Sequence, residues 1–330
     1  MTILSITSLV EKYLMSVKMA RSPHTASTYA NALKFYLDTL RLNKIDPDTT
    51  PINDLQEDSI VLMAVALKNH AATTERLYLT AVSGFFAYLA AENASLINLP
   101  RIKLLIQQRA RRPGQRLPQF PASAIDMILK KISEPEFLIS ETEVDRLIKL
   151  RDRAFLLTLA DTGLRVHEAC GLRRGDLDWN EGKAMIIGKG NRQDIIRFST
   201  RSTEALQEYL KTRTKLDGGT KTPLSALPLF ARHDRGAGNK IKPITTTSGR
   251  NIVTNRVRDL LGPEAIGSIT PHSFRHYFVT RVLRASGNLK LAQELARHKN
   301  IAVTQRYAHL SDDELDKGYW NAIEDKKNSP

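Results

Sequence analysis

The feature that most constrains the fold is a basic stretch, punctuated by proline and glycine, that runs from Arg101 to Pro121. The helical spacing of apolar residues stops here, and proline both fixes φ and lacks a backbone donor, so it breaks regular structure. A chain of 330 residues is long enough to bury two separate cores. We therefore predict two domains joined by a linker, with boundaries at 1–108, 109–121 and 122–330.

The predicted linker carries four arginines, at Arg109, Arg111, Arg112 and Arg116. A basic linker between two basic domains can follow a DNA backbone as part of a clamp. An exposed linker can equally be charged because it must stay solvated. We treat these arginines as candidate DNA contacts, together with Arg192 and Arg297, and leave the solvation alternative open.

The net charge favours an anionic partner. The chain carries a formal charge of +14 and has a pI near 9.8, with basic residues in excess in both predicted domains. Such a surface gains affinity for nucleic acid by displacing counterions from the phosphate backbone. Charge alone is also compatible with an ordinary basic soluble protein.

Two observations bear on the compartment. The single cysteine, Cys170, cannot form an intramolecular disulfide, and this suits a reducing environment. The longest apolar run, from Ile60 to Leu67, is far below the roughly 20 residues that span a bilayer. We expect a cytoplasmic, nucleoid-associated protein with no membrane partner.

Apolar periodicity predicts a mainly helical protein. Tyr29, Leu33, Leu37 and Leu40 share one helix face, and Ser22 followed by proline predicts the start of that helix. In the second domain we predict helices at 122–131, 143–161, 164–170, 203–213, 248–261, 272–285, 289–296 and 303–307. Gly171 is expected to close the third of these.

Two short apolar runs, Ala184–Ile187 and Asp194–Phe198, predict a β-hairpin with Lys189 at its tip. The stretch from Leu216 to Thr247, with scattered glycine, proline and charge, is predicted to be a long, partly mobile loop. The expected fold class is therefore mainly α with a small β-hairpin, α+β, in the second domain.

Four short fragments carry residues suited to chemistry on a phosphate, although each has an ordinary structural explanation. His272 and Arg275 share a face near a helix start, which is also typical of a solvated, capped helix. Arg165 lies one turn before Glu168 and could simply pair with it. Lys189 could be an exposed turn lysine. The last fragment holds His298 and Tyr307, and a tyrosine on a short helix is most often packing.

Taken together and in order, the fragments are far more specific. Thr162-Gly-Leu-Arg-Val-His-Glu, Gly188-Lys-Gly-Asn, His272-Ser-Phe-Arg-His and, after His298, Thr304-Gln-Arg-Tyr-Ala-His resemble the motifs of the tyrosine recombinase and integrase family. The resemblance is good from about Leu117 to Leu310. Further upstream it is less specific and indicates the family's helical, SAM-like core-binding domain. It implies a two-domain clamp around duplex DNA, of the Xer-like or integrase-like kind.

The resemblance also implies a role for each residue. Arg165, Arg275, His272 and His298 would surround the scissile phosphate, Lys189 would protonate the leaving oxygen, and Tyr307 would attack. Glu168 would orient the Arg165 guanidinium for phosphate binding. Attack would leave a 3′-phosphotyrosyl link and a 5′-hydroxyl, so no metal, ATP or other cofactor is expected.

One residue departs from the family pattern: Arg297 stands directly before His298, where the family usually has glycine. This departure motivates an alternative, a sequence-specific DNA-binding clamp with weakened catalysis. A second alternative is strand relaxation of the type IB topoisomerase kind. Because family tails dock on neighbouring protomers, residues 310–322 are expected either to do so in a DNA-bound homotetramer or to pack on their own domain. A monomeric free state and accessory proteins remain open.

Overall fold

The computed structural model describes residues 4–111, 121–187, 193–234, 236–238, 240–298 and 300–305. The chain divides into two compact units, an N-terminal unit of Met1–Gln115 and a C-terminal unit of Arg116–Pro330. Across the described ranges, no helix is long and apolar enough to cross a membrane.

The N-terminal unit is a bundle of α-helices. They are α1 (Ile6–Ala20), α2 (Pro23–Leu42), α3 (Ser59–Ala66), α4 (Ala72–Ala91) and α5 (Leu99–Arg109). The predicted start of α2 is confirmed, because the Ser22 hydroxyl accepts a hydrogen bond from the Thr25 backbone N–H. The predicted apolar face packs inward, with Leu33 and Leu40 fully buried beside Phe85 and Phe86 of α4.

A buried carboxylate holds the end of this unit. Glu75 on α4 is fully buried and accepts hydrogen bonds from the Arg111 backbone N–H at 3.0 Å, Arg111 Nε at 2.5 Å and Lys68 Nζ at 3.0 Å. Burial by itself would raise the pKa of Glu75, but the bonds from Arg111 and Lys68 lower it. The chain therefore remains bound to the N-terminal unit as far as Arg111.

The C-terminal unit combines helices with one small sheet. Its elements are α6 (Ala122–Ser133), α7 (Glu143–Thr162), α8 (Val166–Gly171), β1 (Leu177–Asp178), β2 (Lys183–Ile187), β3 (Gln193–Arg197), α9 (Thr200–Gly218), α10 (Thr246–Leu261), α11 (Pro271–Ser286), α12 (Leu289–Ala296) and α13 (Ile301–Gln305). The strands form an antiparallel sheet in the order β1-β2-β3, in which Ala184 pairs with Leu177 and Ile196. The predicted fold class is confirmed. The prediction missed β1, and the hairpin tip with Lys189 lies outside the described residues.

Helix α7 runs through the core of the unit. Every residue from Ala154 to Ala160 is buried, because α9 and α11 both pack against this helix. The Phe155 ring meets the Phe230 ring edge-on, with centroids 5.0 Å apart.

The segment predicted as a long loop at 216–247 is irregular between α9 and α10 where it is described, but it is shorter than predicted and partly packed into the unit. Helix α9 extends to Gly218, beyond the predicted end at residue 213, and Leu229 and Phe230 are fully buried. The backbone of this segment is bonded into the unit, since Leu229 N–H donates to the Leu172 carbonyl at 2.8 Å and the buried Arg213 donates to the Leu229 carbonyl at 3.0 Å. Leu229 and Phe230 therefore belong to the core despite their irregular backbone, whereas residues 221–226 are exposed.

Several helix boundaries also differ from prediction. Helix α8 begins at Val166 and not at residue 164, and Gly171 is its last helical residue and does not cap it. The left-handed cap is Gly163, at the end of α7, with a φ of 60°. Helix α13 was predicted at 303–307, but its described residues span 301–305.

Candidate active site

The corner between α7 and α8 places Arg165. A Cβ atom on Gly163 would lie 2.4 Å from the Phe278 ring, so only glycine fits the turn. Arg165 follows as the N-cap of α8, and Glu168 accepts from its backbone N–H and from its Nη1 atom, both at 2.8 Å. The Glu168 side chain is 7% exposed whereas that of Arg165 is 45% exposed, so the carboxylate is fixed and the guanidinium reaches solvent.

Arg275, on the first turns of α11, is the most enclosed cation of the site. It is 3% exposed, and its Nη1 atom donates to the Gly163 carbonyl at 2.6 Å while Nη2 donates to the Ala296 carbonyl. The guanidinium therefore joins the α7–α8 corner to the end of α12. Its direction is set by the backbone on two sides.

Two histidines lie near these arginines. Burial, followed by the charges of Arg275 and Arg165, lowers the pKa of His272. The same causes in the same order lower the pKa of His298 to about 4. Arg275 also binds the carbonyls of Gly163 and Ala296, each two residues before a further site residue, Arg165 or His298. The structure therefore brings these four predicted residues together.

Both histidines are consequently neutral near pH 7 in the free protein. The Nδ1 atom of His298 lies 2.8 Å from the Thr304 hydroxyl. If Thr304 donates to Nδ1, the Nε2 atom carries the hydrogen and can donate to an oxyanion. The His272 ring contacts the His276 ring edge-on, with centroids 4.2 Å apart, and this contact limits its rotation.

Sequence reasoning missed the groups that hold the site in place. Thr304 lies within the last of the four fragments, but the resemblance implies no role for it. Nothing in the sequence distinguishes Gln293, which donates to the His298 carbonyl at 3.0 Å. The carbonyl acceptors of Arg275 were also missed. A backbone carbonyl leaves no signal in one sequence, but the spacing of Thr304 six residues after His298 could have suggested a partner.

The structure places Arg297 inside the protein. It caps α12 in the left-handed region, with φ 56° and ψ 43°, and its side chain is only 6% exposed. Its Nη2 atom lies 3.0 Å from Glu168 Oε2. This burial does not favour the direct DNA contact expected from the sequence.

The remaining candidates are dispersed. Arg109 is exposed at the end of α5, and Arg111 donates to Glu75 and to the carbonyls of Leu67 and His70. Lys189, Tyr307, Arg112, Arg116 and Arg192 lie outside the described residues.

The site contains two guanidinium groups and two neutral imidazoles, which suit a tetrahedral oxyanion. In the part of the chain that the structure describes, no cluster of three potential metal-ligating side chains occurs. Arginine can stabilise charge on the nonbridging oxygens of a phosphodiester without a metal. The described part of the site is therefore chemically suited to hold a phosphodiester.

Comparison with known proteins gives the family. The phage integrase family matches residues 133–314, and the phage integrase N-terminal SAM-like domain matches residues 10–93. The tyrosine recombinase XerC of Thermodesulfovibrio yellowstonii is 29% identical over 303 residues, covering 91% of each chain. That of Pelobacter propionicus is 38% identical over 172 residues, covering 52% of this chain and 51% of its own.

Solved structures share the fold. The XerH site-specific recombinase bound to palindromic difH substrate has a TM-score of 0.68 at 19% identity, covering 98% of this chain and 85% of its own. The Tn1549 transposon integrase in complex with transposon right end DNA has a TM-score of 0.68 at 17% identity, covering 97% and 100%. The chain belongs to the phage integrase family and is a tyrosine-type site-specific recombinase.

Proposed function

We propose that this recombinase cleaves and rejoins DNA strands through a 3′-phosphotyrosyl intermediate, with Tyr307 as the nucleophile. The observation that carries the proposal is the convergence of Arg165, Arg275, His272 and His298. Arg275 is bonded to the backbone just before Arg165 and just before His298, and it lies one helical turn after His272. Such a cluster stabilises the charge that builds on the nonbridging oxygens in the transition state.

Each cleavage step exchanges one phosphate ester for another. The Tyr307 oxygen bonds to phosphorus, the bond to the 5′ oxygen breaks, and that oxygen takes a proton from Lys189. The phenol proton passes to a neutral imidazole of the site as the bond forms, because a tyrosine with a pKa near 10 is a weak nucleophile at neutral pH. The number of phosphate ester bonds is unchanged, so the 5′-hydroxyl of a second strand can reverse the step on a new partner.

We propose double-stranded DNA as the partner. The charge of +14 supports this proposal. It is also supported by the XerH and Tn1549 integrase structures, which were solved with bound DNA. In this proposal residues 1–108 are the core-binding domain, residues 122–330 are the catalytic domain, and four protomers act on two paired sites. The setting is the cytoplasm, in association with the nucleoid.

Covalent trapping tests the chemistry. A binding site is first enriched from a random duplex library, and nicked duplexes carrying it are incubated with the protein in EDTA. We expect a denaturation-resistant adduct from the wild type and from Tyr319→Phe, and none from Tyr307→Phe. An adduct that survives in Tyr307→Phe would identify a different nucleophile, and tight binding with no wild-type adduct would contradict the proposal.

The presence of Arg297 where the family usually has glycine motivates one alternative, a DNA-binding clamp with weakened catalysis. A side chain at this corner changes how closely the backbone can approach a phosphate. Specific binding without an adduct, followed by recovery of the adduct in Arg297→Gly, would support it. Relaxation of plasmids that lack any enriched site would instead indicate topoisomerase-like activity.

A further inference from the structure

The conformation and pairing of Arg297 are costly for the folded protein. A residue with a Cβ atom is strained at a φ of 56°, where glycine is not. The Nε and Nη1 atoms of its guanidinium are buried and have no hydrogen-bond partner among the described residues. A buried cation whose donors are only partly paired is a poor source of stability. Folding stability therefore does not explain this residue.

The contact that Arg297 does make is with the carboxylate that orients Arg165. Glu168 Oε2 accepts from Arg297 Nη2 at 3.0 Å and from the Arg165 backbone N–H at 2.8 Å. Only Oε1 accepts from the Arg165 side chain, through Nη1. One buried carboxylate is thus divided between two guanidinium groups, and the three side chains together carry one net positive charge.

We propose that Arg297 is a positioning residue that occupies one oxygen of Glu168, so that Arg165 is oriented without being captured in a two-bond ion pair. The proposal rests on the proposed function, in which Arg165 binds the scissile phosphate. Carboxylates and guanidinium groups readily pair through two parallel hydrogen bonds. With Oε2 occupied, the Arg165 side chain keeps donors available for a phosphate.

Arg297 also lies between two residues that belong to the site or bind it. Its neighbours are Ala296, whose carbonyl accepts from Arg275, and His298. The pair with Glu168 therefore connects the α8 corner to the segment that carries two other parts of the site. If Arg297 is lost, Oε2 keeps only its bond from the Arg165 backbone N–H and can also accept from the Arg165 guanidinium, while the net charge of the group falls from +1 to zero.

Single-turnover cleavage of the nicked duplex described above, at saturating protein, tests this role. Arg297→Gly should slow adduct formation by about tenfold or more, since small errors in position have large rate effects. Its Kd for an intact duplex should change much less, and its unfolding midpoint should not fall, because glycine relieves the left-handed strain. Arg297→Lys, which keeps the charge, should recover part of the rate.

Lys44→Gly is the matched control, because Lys44 is an exposed residue of the N-terminal unit with a similar φ of 61°. It should cleave at the wild-type rate. The proposal fails if Arg297→Gly cleaves as fast as the wild type, or if Arg297→Lys is no better than Arg297→Gly. It also fails if cleavage, binding and the unfolding midpoint all fall together, which would make the residue structural.

A measurement without DNA separates this inference from the proposed function. The Glu168 carboxyl can be titrated by NMR in selectively labelled, DNA-free protein. Although burial raises the pKa of Glu168, the Arg165 backbone bond and the Arg297 charge lower it below its ordinary value. It should therefore rise in Arg297→Gly. An unchanged Glu168 pKa would refute the shared pairing, whereas a wild type that forms no adduct would refute only the proposed function.

Discussion

Arg275 Nη1 lies 2.6 Å from the carbonyl oxygen of Gly163, a residue 112 positions earlier in the chain. Through this bond, a helix that starts at Pro271 is fixed to the glycine turn that precedes Arg165. The two arginines of the site are therefore positioned by one corner of backbone. A change in that corner must displace both.

Arg275→Lys should separate charge from geometry. Lysine keeps the positive charge, but it has one nitrogen where arginine has two Nη atoms. It therefore cannot donate to the Gly163 and Ala296 carbonyls in the same geometry. We expect cleavage to fall by about 100-fold or more while DNA affinity changes only modestly. Arg275→Ala should abolish cleavage. Single-turnover adduct formation and duplex binding measure these effects, and equal losses of both would make Arg275 a docking residue.

Lys189→Ala should be rescued by a better leaving group. If Lys189 protonates the 5′ oxygen, its loss should slow cleavage by about 100-fold or more. A duplex with sulfur in place of that bridging oxygen needs no proton donor, because a thiol has a pKa near 8.5. The variant should then cleave the sulfur duplex nearly as fast as the wild type does. Equal impairment on both duplexes would exclude the acid role.

Stability should fall in mild acid, partly because of His233. Burial, then the charges of Arg151 and Arg213, lowers the pKa of His233 to about 3, and its Nε2 atom contacts the Tyr209 hydroxyl at 2.8 Å. Below the unfolded pKa, near 6.5, the unfolded chain binds a proton that the folded protein does not. The free energy of unfolding therefore decreases as pH falls from about 6.5 towards 3.

Urea unfolding of the wild type and His233→Asn at several pH values checks this expectation. The variant should be less stable at neutral pH, because the contact with Tyr209 is altered, but its stability should depend less steeply on pH. If the free energy of unfolding changed equally with pH in the wild type and the variant, His233 would have a similar pKa in the folded and the unfolded protein.

Phe230→Ala tests the packed segment between α9 and α10. Removing a fully buried phenyl ring should reduce the free energy of unfolding by about 3–5 kcal/mol. Leu224→Ala, in the same segment at a site 52% exposed, should change it by less than about 0.5 kcal/mol. Unfolding followed by tryptophan fluorescence compares them. If Phe230→Ala reduced the free energy of unfolding only slightly, the segment would be a mobile loop, as the sequence predicts.

The sequence predicts well where a local rule decides the structure. Ser22 followed by proline starts α2 because the hydroxyl caps the first turn. Arg165 meets Glu168 because residues three apart share a helix face. The hairpin strands are predicted to within a residue because two short apolar runs flank a glycine-rich turn.

Prediction failed where distant parts of the chain decide the structure. Leu229 and Phe230 occur among glycine, proline and charge, so their burial leaves no periodic pattern, and it depends on Arg213 and Leu172 binding their backbone. Strand β1 has two residues, too few for a pattern. The left-handed backbone of Arg297 was also not predicted, although the family glycine at that position was a hint.

The corner at Gly163 has one further consequence, for how the site can be mapped. The turn requires the absence of a side chain, and the Phe278 ring occupies the space that a Cβ atom would need. Scanning mutagenesis that replaces charged and polar residues with alanine does not test Gly163 or Phe278. Such a scan would assign importance to Arg165 and Arg275 and overlook the apolar contact on which the placement of both depends.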